Sequence, residues 1–173
     1  MLNKLFFIDN RCTNPYFNLA LEEYLLKNIS DKNFILLWQN DNTIVIGINQ
    51  NAAEEINFDY VKENNITVVR RTTGGGAVYH DLGNINFSFI TNLDEESGFT
   101  INDFVKPIIR ALASMGITAS ADGRNDITVN GRKISGNAQR LYKNRILHHG
   151  TLLFDSNVKK ISSSLKVKPE KFT

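Results

Sequence analysis

Residues 70–84 read RRTTGGGAVYHDLGN, so that two arginines and two threonines precede three consecutive glycines. A glycine triplet in a β-rich context costs folding entropy, so it is expected where the backbone takes unusual dihedral angles or comes close to a ligand. Successive N–H groups of such a loop can bind anionic oxygens, and arginine offers a planar fork of donors for phosphate or carboxylate. The stretch predicts an anion-binding loop; the alternative is a tight turn between strands with surface arginines.

The glycine spacing argues against the common nucleotide motifs. It matches neither the phosphate-binding loop that ends in Gly-Lys-Ser/Thr nor the dinucleotide motif G-x-G-x-x-G. A nucleotide bound by this chain is therefore expected on a different scaffold.

The segments around the loop are short, apolar and rich in β-branched residues, which is typical of strands. Apolar residues alternate in INFSFI, so one face of that strand is expected to be buried. Upstream, FILLWQ and TIVIGI are separated only by NDN and are predicted to form a hairpin. In chain order, the predicted strands span residues 34–39, 43–48, 66–71, 77–80, 85–90 and 146–154.

Two helices are predicted. The first begins with Asn14 as N-cap and Pro15 in the first helical position, where its missing N–H costs nothing. The second follows a start at Thr100 and Asp103 that resembles a capping box, and Gly116 provides its left-handed end. The apolar stripes are expected to consist of Phe17, Leu21, Tyr24 and Leu25 in the first helix and of Phe104, Ile108, Leu112 and Met115 in the second.

A tight hairpin is predicted at Asn130–Gly131, because this dipeptide favours a type I′ turn. Its register places Thr128 opposite Lys133, Ile127 opposite Ile134, and Asp126 opposite Ser135. Strand alternation then brings a lysine, a carboxylate and two hydroxyls to one face of a stiff element. That face is expected to consist of Asp126, Thr128, Lys133 and Ser135.

The element pattern, hairpins with few helices, predicts an α+β domain with a mixed, largely antiparallel sheet flanked by helices. The 173 residues suffice for one domain, and a net charge of +2 favours a small anionic ligand over nucleic acid. No apolar run approaches the length of a signal-peptide core or a membrane span. The single cysteine, Cys12, fits a reducing compartment, so the expected location is the cytoplasm, with no membrane partner.

Several motifs together resemble the lipoate–protein ligase A family, which belongs to the biotin/lipoate ligase superfamily. They are RRTTGGGAVYHDLGNINFSF, GRNDITVNGRKISGNAQR and HHGTLLF, preceded by NPYFNLALEEYLL and LWQNDNTIVIGINQN. The resemblance extends from about Asp9 to Phe154. It implies the catalytic-domain fold of that superfamily.

The resemblance also implies a two-step reaction that uses ATP, with Mg²⁺ beside the phosphates. Lipoate is activated to lipoyl-AMP with release of pyrophosphate, and a lysine of a lipoyl carrier domain then attacks the acyl carbon and displaces AMP. The acceptors typical of the family are acyltransferase subunits of 2-oxoacid dehydrogenases and the H protein of glycine cleavage.

Site residues follow from the same resemblance, with Lys133 of GRKISG as the main catalytic residue. A fixed cation offsets the repulsion between the lipoate carboxylate and the α-phosphate, whereas a strand lysine outside such a motif is usually only solvated. The implied nucleotide-site residues are Arg71, Gly76, Ala77, Val78, Tyr79, Asn125, Asp126 and Lys133. The implied lipoate-site residues are Arg71, Thr73, Gly74, Gly75, His80, Lys133, Ser135 and His149.

Some assignments have two open alternatives. His80 either contacts the carboxyl end of lipoate or is a hydrogen-bonded structural histidine. Asp126 either helps to hold Mg²⁺ or makes a turn hydrogen bond. His149 is expected to face the pocket and His148 the opposite side, because neighbours on a strand alternate, which excludes a zinc site made of both. Candidates for the apolar slot of the lipoyl tail are Leu19, Leu21, Val45 and Ile46, and Trp38 is expected in the core or the pocket wall.

A cysteine-dependent acyltransferase and a biotin ligase are two other functions known for this fold. An octanoyltransferase or lipoyl amidotransferase would use a cysteine nucleophile and no ATP, but Cys12 is far in sequence from the glycine loop and from Lys133. Biotin ligases carry a Gly-Arg-Gly-Arg-type loop that this chain lacks.

A non-catalytic module that binds lipoate or an adenylate is a third possibility. Residues 157–173 are polar and carry no capping or packing signal. Residues 1–173 are therefore expected to form a single catalytic domain that is incomplete at its C-terminus and lacks the family's accessory C-terminal domain.

Overall fold

The structure, a computed structural model, describes residues 4–93, 101–123 and 125–166, in which ten strands and five helices are formed. The strands are β1 (Leu5–Asn10), β2 (Asn33–Trp38), β3 (Thr43–Ile46), β4 (Thr67–Arg70), β5 (Val78–His80), β6 (Asn84–Asn92), β7 (Ser120–Asp122), β8 (Asp126–Val129), β9 (Arg132–Tyr142) and β10 (Arg145–Leu153). The helices are α1 (Pro15–Asn28), α2 (Ala52–Glu55), α3 (Phe58–Glu63), α4 (Ile101–Ser114) and α5 (Val158–Ser164).

The strands form two sheets. One has seven strands in the order β1-β2-β6-β10-β9-β8-β7, and the other has three in the order β4-β3-β5. Only the β1–β2 and β3–β4 pairs among these described strands are parallel. The predicted α+β class with a mixed, largely antiparallel arrangement is confirmed. No helix within the described ranges is long and apolar enough to cross a membrane.

The predicted hairpin of residues 34–39 and 43–48 is wrong. Strand β2 pairs with β1 and β6, whereas β3 pairs with β4 and β5 in the other sheet. Asn42, at φ 41°, turns the chain away, and its side chain donates to the carbonyl oxygens of Asn64 and Asn65. All four residues of β3 are buried. Such a strand needs cover on both faces, and an apolar run does not specify which strand will be its neighbour.

Helix α1 starts as predicted but buries a different face. The Asn14 side chain accepts hydrogen bonds from the backbone N–H groups of Tyr16 and Phe17, and Pro15 follows it. Phe17 and Tyr24 of the predicted apolar stripe are exposed. The buried face instead includes two polar residues, Asn18 and Glu22, because it covers a polar layer of the seven-stranded sheet.

Helix α4 packs on the opposite face of that sheet. Phe104, Ile108 and Leu112 join the core with Phe87 and Phe89 of β6, as predicted. Met115 is 66% exposed, so its assignment to the core is wrong, and Gly116 ends the helix at φ 80°. The proposed capping residue Thr100 lies outside the described residues.

The apolar face of β6 is buried as predicted, and the opposite, polar face is buried as well. One face carries the phenylalanines of the core beneath α4. The other carries Asn84, Asn86 and Ser88, which are at most 2% exposed. A buried polar row of this kind needs hydrogen-bonding partners, and it marks the side on which the functional site lies.

The β8–β9 hairpin has the predicted turn but a different register. Asn130 and Gly131 have φ values of 51° and 72°, as a type I′ turn requires. Thr128 pairs with Lys133 as predicted, but a β-bulge then pairs Ile127 with Ser135. The predicted Ile127–Ile134 and Asp126–Ser135 pairs are therefore wrong. Register arithmetic cannot anticipate a bulge, which inserts one extra residue into one strand.

The segment after β10 is capped and packed, contrary to prediction, as far as the structure describes it. Asn157 caps α5 by accepting from the backbone N–H of Lys160. Ile161 and Leu165 pack against the apolar cluster of the three-stranded sheet. This short helix forms one wall of a cavity described below.

Candidate functional site

A cavity of about 230 Å³ is lined by residues from both sheets and from α1. Its lining includes apolar side chains at Leu19, Trp38 and Val45; the other two candidates for the apolar slot, Leu21 and Ile46, do not contribute. Many of the predicted site residues line it, namely Arg71, Gly75, Gly76, Ala77, Val78, His80, Asn125, Lys133 and His149.

A second cavity, of about 130 Å³, shares part of this lining. Lys133 lines both cavities, and the smaller one adds Tyr79 and Ser135 from the predicted set and Ile161 and Leu165 from the region of α5. The remaining predicted residues, Thr73, Gly74 and Asp126, are not part of either lining but contact residues that are.

The guanidinium of Arg71 holds the glycine loop in place. Its nitrogens donate to the carbonyl oxygens of Val45 (3.0 Å), Gly74 (2.7 Å) and Gly76 (2.8 Å) and to the Thr73 hydroxyl (3.0 Å). Burial lowers the pKa of Arg71 to about 10, an effect that the nearby Glu22 opposes. The group is therefore still charged at neutral pH, inside the loop rather than on its surface.

Glycine is required where the loop meets the end of β3. A Cβ on Gly47 would lie 2.3 Å from the carbonyl oxygen of Gly75, and Gly75 itself has φ 95°. The loop thus lies directly against the neighbouring backbone, and its conformation is one that side chains rarely permit.

A buried chain of hydrogen bonds connects Thr73 of the loop to α1. The Thr73 hydroxyl is 2.8 Å from His149 Nε2, and His149 Nδ1 is 3.0 Å from a carboxylate oxygen of Glu22. Glu22 also accepts from Ser88, which in turn accepts from the indole N–H of Trp38 at 2.8 Å. Glu22 was not among the predicted site residues. Asn18 and Glu22 lie four residues apart on the buried face of α1, and this burial becomes visible only in the fold.

The position of His149 and His148 on opposite sides of β10 is as predicted. His149 lines the larger cavity, whereas the His148 ring stacks on Phe104 beneath α4 with centroids 4.8 Å apart. Within the described ranges no group of three or more His, Cys, Asp or Glu side chains could hold a metal ion.

His80 is buried and neutral. Burial, followed by the charge of Arg71, lowers its pKa to about 3. The Asn40 amide donates to His80 Nδ1 at 3.2 Å, because the Asn40 oxygen already accepts from Asn18 at 2.9 Å. His80 Nδ1 is therefore the acceptor of the ring, and the proton lies on Nε2, which has no hydrogen-bond partner among the residues that the structure describes.

Lys133 lies at an exposed part of the larger cavity. Its side chain is 55% exposed, and its ammonium is 2.8 Å from Asp126 Oδ1. The strand that carries Asp126 is held in place by a reciprocal pair, in which the side-chain amides of Asn125 and Asn137 each donate to the other residue's carbonyl oxygen. A half-exposed ion pair of this kind contributes little to stability, so Lys133 can exchange Asp126 for another anion at small cost.

Lowering the pH from about 6.5 towards 3 is expected to reduce the free energy of unfolding. His80 and His148 both have pKa values lowered by burial to about 3, whereas the unfolded chain binds a proton at each near the ordinary value of 6.5. Each histidine should contribute a slope of up to about 1.4 kcal/mol per pH unit in this range. Urea unfolding at several pH values measures the slope.

The matched variant is His148→Phe, which keeps a ring against Phe104 and lies outside both cavity linings. It should reduce the slope of the free energy of unfolding against pH by up to about 1.4 kcal/mol per pH unit, which is the contribution of one histidine. A slope equal to that of the wild type would contradict the assignment of His148 as a neutral buried group.

Comparison with known proteins identifies the fold and family. The family model described as the lipoyl protein ligase A/B catalytic domain matches residues 14–173. The chain belongs to this family. Among curated relatives of this lipoyl ligase domain, it is 54% identical to lipoate-protein ligase LplJ of Bacillus subtilis and 48% identical to lipoate–protein ligase 1 of Staphylococcus aureus. Each alignment covers 96% of this chain but 51% of the relative, so the chain spans about half the length of these relatives.

Solved structures agree with this membership. LipL1 of P. falciparum in complex with lipoate is 37% identical with a TM-score of 0.85, and the match covers 95% of this chain and 53% of that one. A lipoate-protein ligase A bound with ATP is 30% identical with a TM-score of 0.84, covering 97% and 73%. The expected lipoate-ligase family and its catalytic-domain fold are confirmed.

Proposed function

We propose that this chain activates lipoate with ATP to lipoyl-AMP and transfers the lipoyl group to a lysine of lipoyl carrier domains. The observation that carries the proposal is the position of Lys133, which lines both cavities beside the glycine loop. One ammonium can there contact a carboxylate in the larger cavity and a phosphate at the smaller one. The names of the relatives, which are lipoate-protein ligases, support the same reaction.

In the first step, the lipoate carboxylate attacks the α-phosphate of ATP and pyrophosphate leaves. Lys133 offsets the repulsion between the two anions and stabilises the charge that develops between them. The glycine loop contributes backbone donors. Because C=O and N–H of a trans peptide point in opposite directions, the N–H groups of Gly75 and Ala77 are directed away from Arg71, which binds the carbonyl oxygens of Gly74 and Gly76.

The adenosine end fits the smaller cavity. Its lining combines Tyr79 with the apolar side chains of Leu153, Ile161 and Leu165. Mg²⁺ is proposed to accompany ATP and to neutralise phosphate charge. Asp126, 2.8 Å from the Lys133 ammonium, provides a carboxylate that such an ion can bind in combination with phosphate oxygens.

In the second step, the neutral lysine amine of a carrier domain attacks the acyl carbon and forms the amide bond. The bond between the acyl carbon and the phosphate oxygen breaks, AMP leaves with that electron pair, and the amine nitrogen loses a proton to solvent. The proposed acceptors are acyltransferase subunits of 2-oxoacid dehydrogenases and the glycine cleavage H protein. The archaeal lipoylation system of Thermoplasma acidophilum, described as a bi-partite lipoate protein ligase and its E2 lipoyl domain, supports a carrier of this class; its matching chain is 32% identical with a TM-score of 0.87. The proposed location is the cytoplasm, in keeping with a single free cysteine.

The test is whether pyrophosphate is released from ATP in the presence of lipoate, and whether Cys12→Ser releases it at the same rate. Cys12 is half-buried and belongs to neither cavity lining. The substitution, which exchanges sulfur for oxygen, should therefore change the rate of pyrophosphate release by less than about twofold. Mass spectrometry of an added carrier domain then reports transfer. Acyl transfer that needs no ATP and is lost in Cys12→Ser would replace this proposal with a cysteine-dependent transferase.

A further inference from the structure

The larger cavity has an exposed end and a buried end. Lys133 and the loop residues Gly75 and Gly76 are exposed. At the other end Trp38, His80 and Asn86 are at most 4% exposed, and the rings of Trp38 and His80 meet edge to face with centroids 6.3 Å apart. Asn86 is the cross-strand neighbour of Trp38 in the β2–β6 pair. A long, narrow ligand would therefore have one end near solvent and the other enclosed.

Two hydrogen-bond donors at the buried end have no partner within residues 4–93, 101–123 and 125–166. His80 Nδ1 is bound by Asn40, which leaves the Nε2–H group free. The Asn86 side-chain oxygen accepts from the Asn84 amide at 3.0 Å, which leaves the Asn86 amide nitrogen free. Both residues line the cavity.

Two other polar residues of this lining, His149 and Arg71, have partners within the protein. His149 is bound through both ring nitrogens, by Thr73 and Glu22, and the guanidinium of Arg71 is bound to the glycine loop. Because a buried donor without an acceptor is costly, the pair of His80 and Asn86 indicates that the occupant brings acceptor atoms to this end.

The acceptor at the buried end is not the reacting carboxylate. Burial of a carboxylate is expensive without a cation that is free to pair with it, and Arg71 already serves the loop. The acyl carbon must also remain accessible to the lysine of a carrier protein, which requires the exposed end near Lys133. The buried end therefore receives the tail of the acid.

We propose that His80 and Asn86 form a donor pair for the two ring sulfurs of lipoate and select the dithiolane over an all-carbon tail. The inference rests on the proposed function, because it takes the carboxylate to lie at Lys133. Disulfide sulfurs are weak acceptors, but a methylene or methyl group accepts nothing and would leave both donors unsatisfied. The pair thus assigns His80 to the ring end of lipoate rather than to its carboxyl end.

The test compares lipoate with its all-carbon analogue, in which cyclopentane replaces the dithiolane ring, and with octanoate. Calorimetric binding to the wild-type chain without ATP needs no turnover. Lipoate should bind about tenfold more tightly than the all-carbon analogue, since the two acids differ only in acceptor atoms. Equal affinities would overturn the inference and leave the proposed function standing, whereas no binding of any of the acids would overturn both.

Two variants assign the preference to these residues. Asn86→Leu and His80→Phe each remove one donor, and each should reduce the ratio of the two affinities towards one, mainly by improving the all-carbon acid. Thr91→Val is the matched control, because the Thr91 hydroxyl is also buried, has no partner in the described part of the chain, and lies outside the cavity lining. A ratio that is unchanged in a folded Asn86→Leu or His80→Phe variant, or reduced equally in Thr91→Val, would overturn the assignment.

Discussion

Lys133→Met is expected to lower the rate of lipoate-dependent pyrophosphate release by about a thousandfold, which is the upper range for loss of one positioned group that stabilises transition-state charge. Methionine keeps much of the length and the apolar stem of lysine but cannot offset the repulsion between a carboxylate and a phosphate. Stopped assays of pyrophosphate with the 173-residue chain measure the effect, and transfer from supplied lipoyl-AMP to a carrier domain measures the second step separately.

The fold should be unaffected by this substitution. The Lys133–Asp126 pair is partly exposed, so its loss should change the free energy of unfolding by no more than about 1 kcal/mol. Arg132→Met is the matched control, because Arg132 is an exposed cation in the same hairpin and belongs to neither cavity lining. If Lys133→Met and Arg132→Met released pyrophosphate at equal rates, Lys133 would not be the catalytic cation.

Local signals in the sequence predicted local structure well. Asn14–Pro15 set the start of α1, and Asn130–Gly131 set the type I′ turn, because each depends only on the conformational preferences of two or three neighbouring residues. The family resemblance is confirmed by the family match over residues 14–173. It was visible in the sequence because the motifs that carry it are contiguous. The roles assigned to individual site residues remain predictions.

Partners across the fold were not predictable in the same way. The sequence of β2 and β3 gives two adjacent apolar runs, and nothing in either run indicates that one joins the seven-stranded sheet and the other the three-stranded sheet. The same limit applies to Glu22, whose importance depends on His149, 127 residues further along the chain. Helical periodicity alone predicts that a glutamate lies on the solvent-exposed face of a helix. Only the buried polar partners of Glu22 explain why it lies on the buried face instead.

Arg71 has a structural role that its position in the motif did not indicate. An arginine next to a glycine loop was expected to contact the nucleotide, yet its donors are directed at Val45, Thr73 and the loop carbonyl oxygens. It therefore fixes which way the peptide N–H groups of the loop point, and we expect it to act on an anion through them. Arg71 also lines the larger cavity, so direct contact with an anion remains a separate prediction.

Arg71→Met is expected to destabilise the chain by about 2–4 kcal/mol, since the buried carbonyl oxygen of Val45 and the partly buried ones of Gly74 and Gly76 lose their donor, and an unsatisfied buried group costs about 1–3 kcal/mol. Pyrophosphate release should fall as well, even at temperatures where the variant is folded, because the loop is no longer held in one conformation. Urea unfolding and the pyrophosphate assay measure the two effects. Arg71→Lys keeps the charge but not the planar fork, and it should restore only part of the stability.

Arg70 is a matched control in the same sequence. Like its neighbour, it donates to three backbone carbonyl oxygens, those of Gly47, Ile48 and Gln50, but it does so at the exposed surface. Water can replace an exposed donor, so Arg70→Met should cost no more than about 1 kcal/mol and should leave the rate of pyrophosphate release unchanged. Equal destabilisation by the two substitutions would show that burial of the guanidinium is not what fixes the loop. A larger effect at Arg71 in both assays would link the conformation of the glycine loop directly to the reaction.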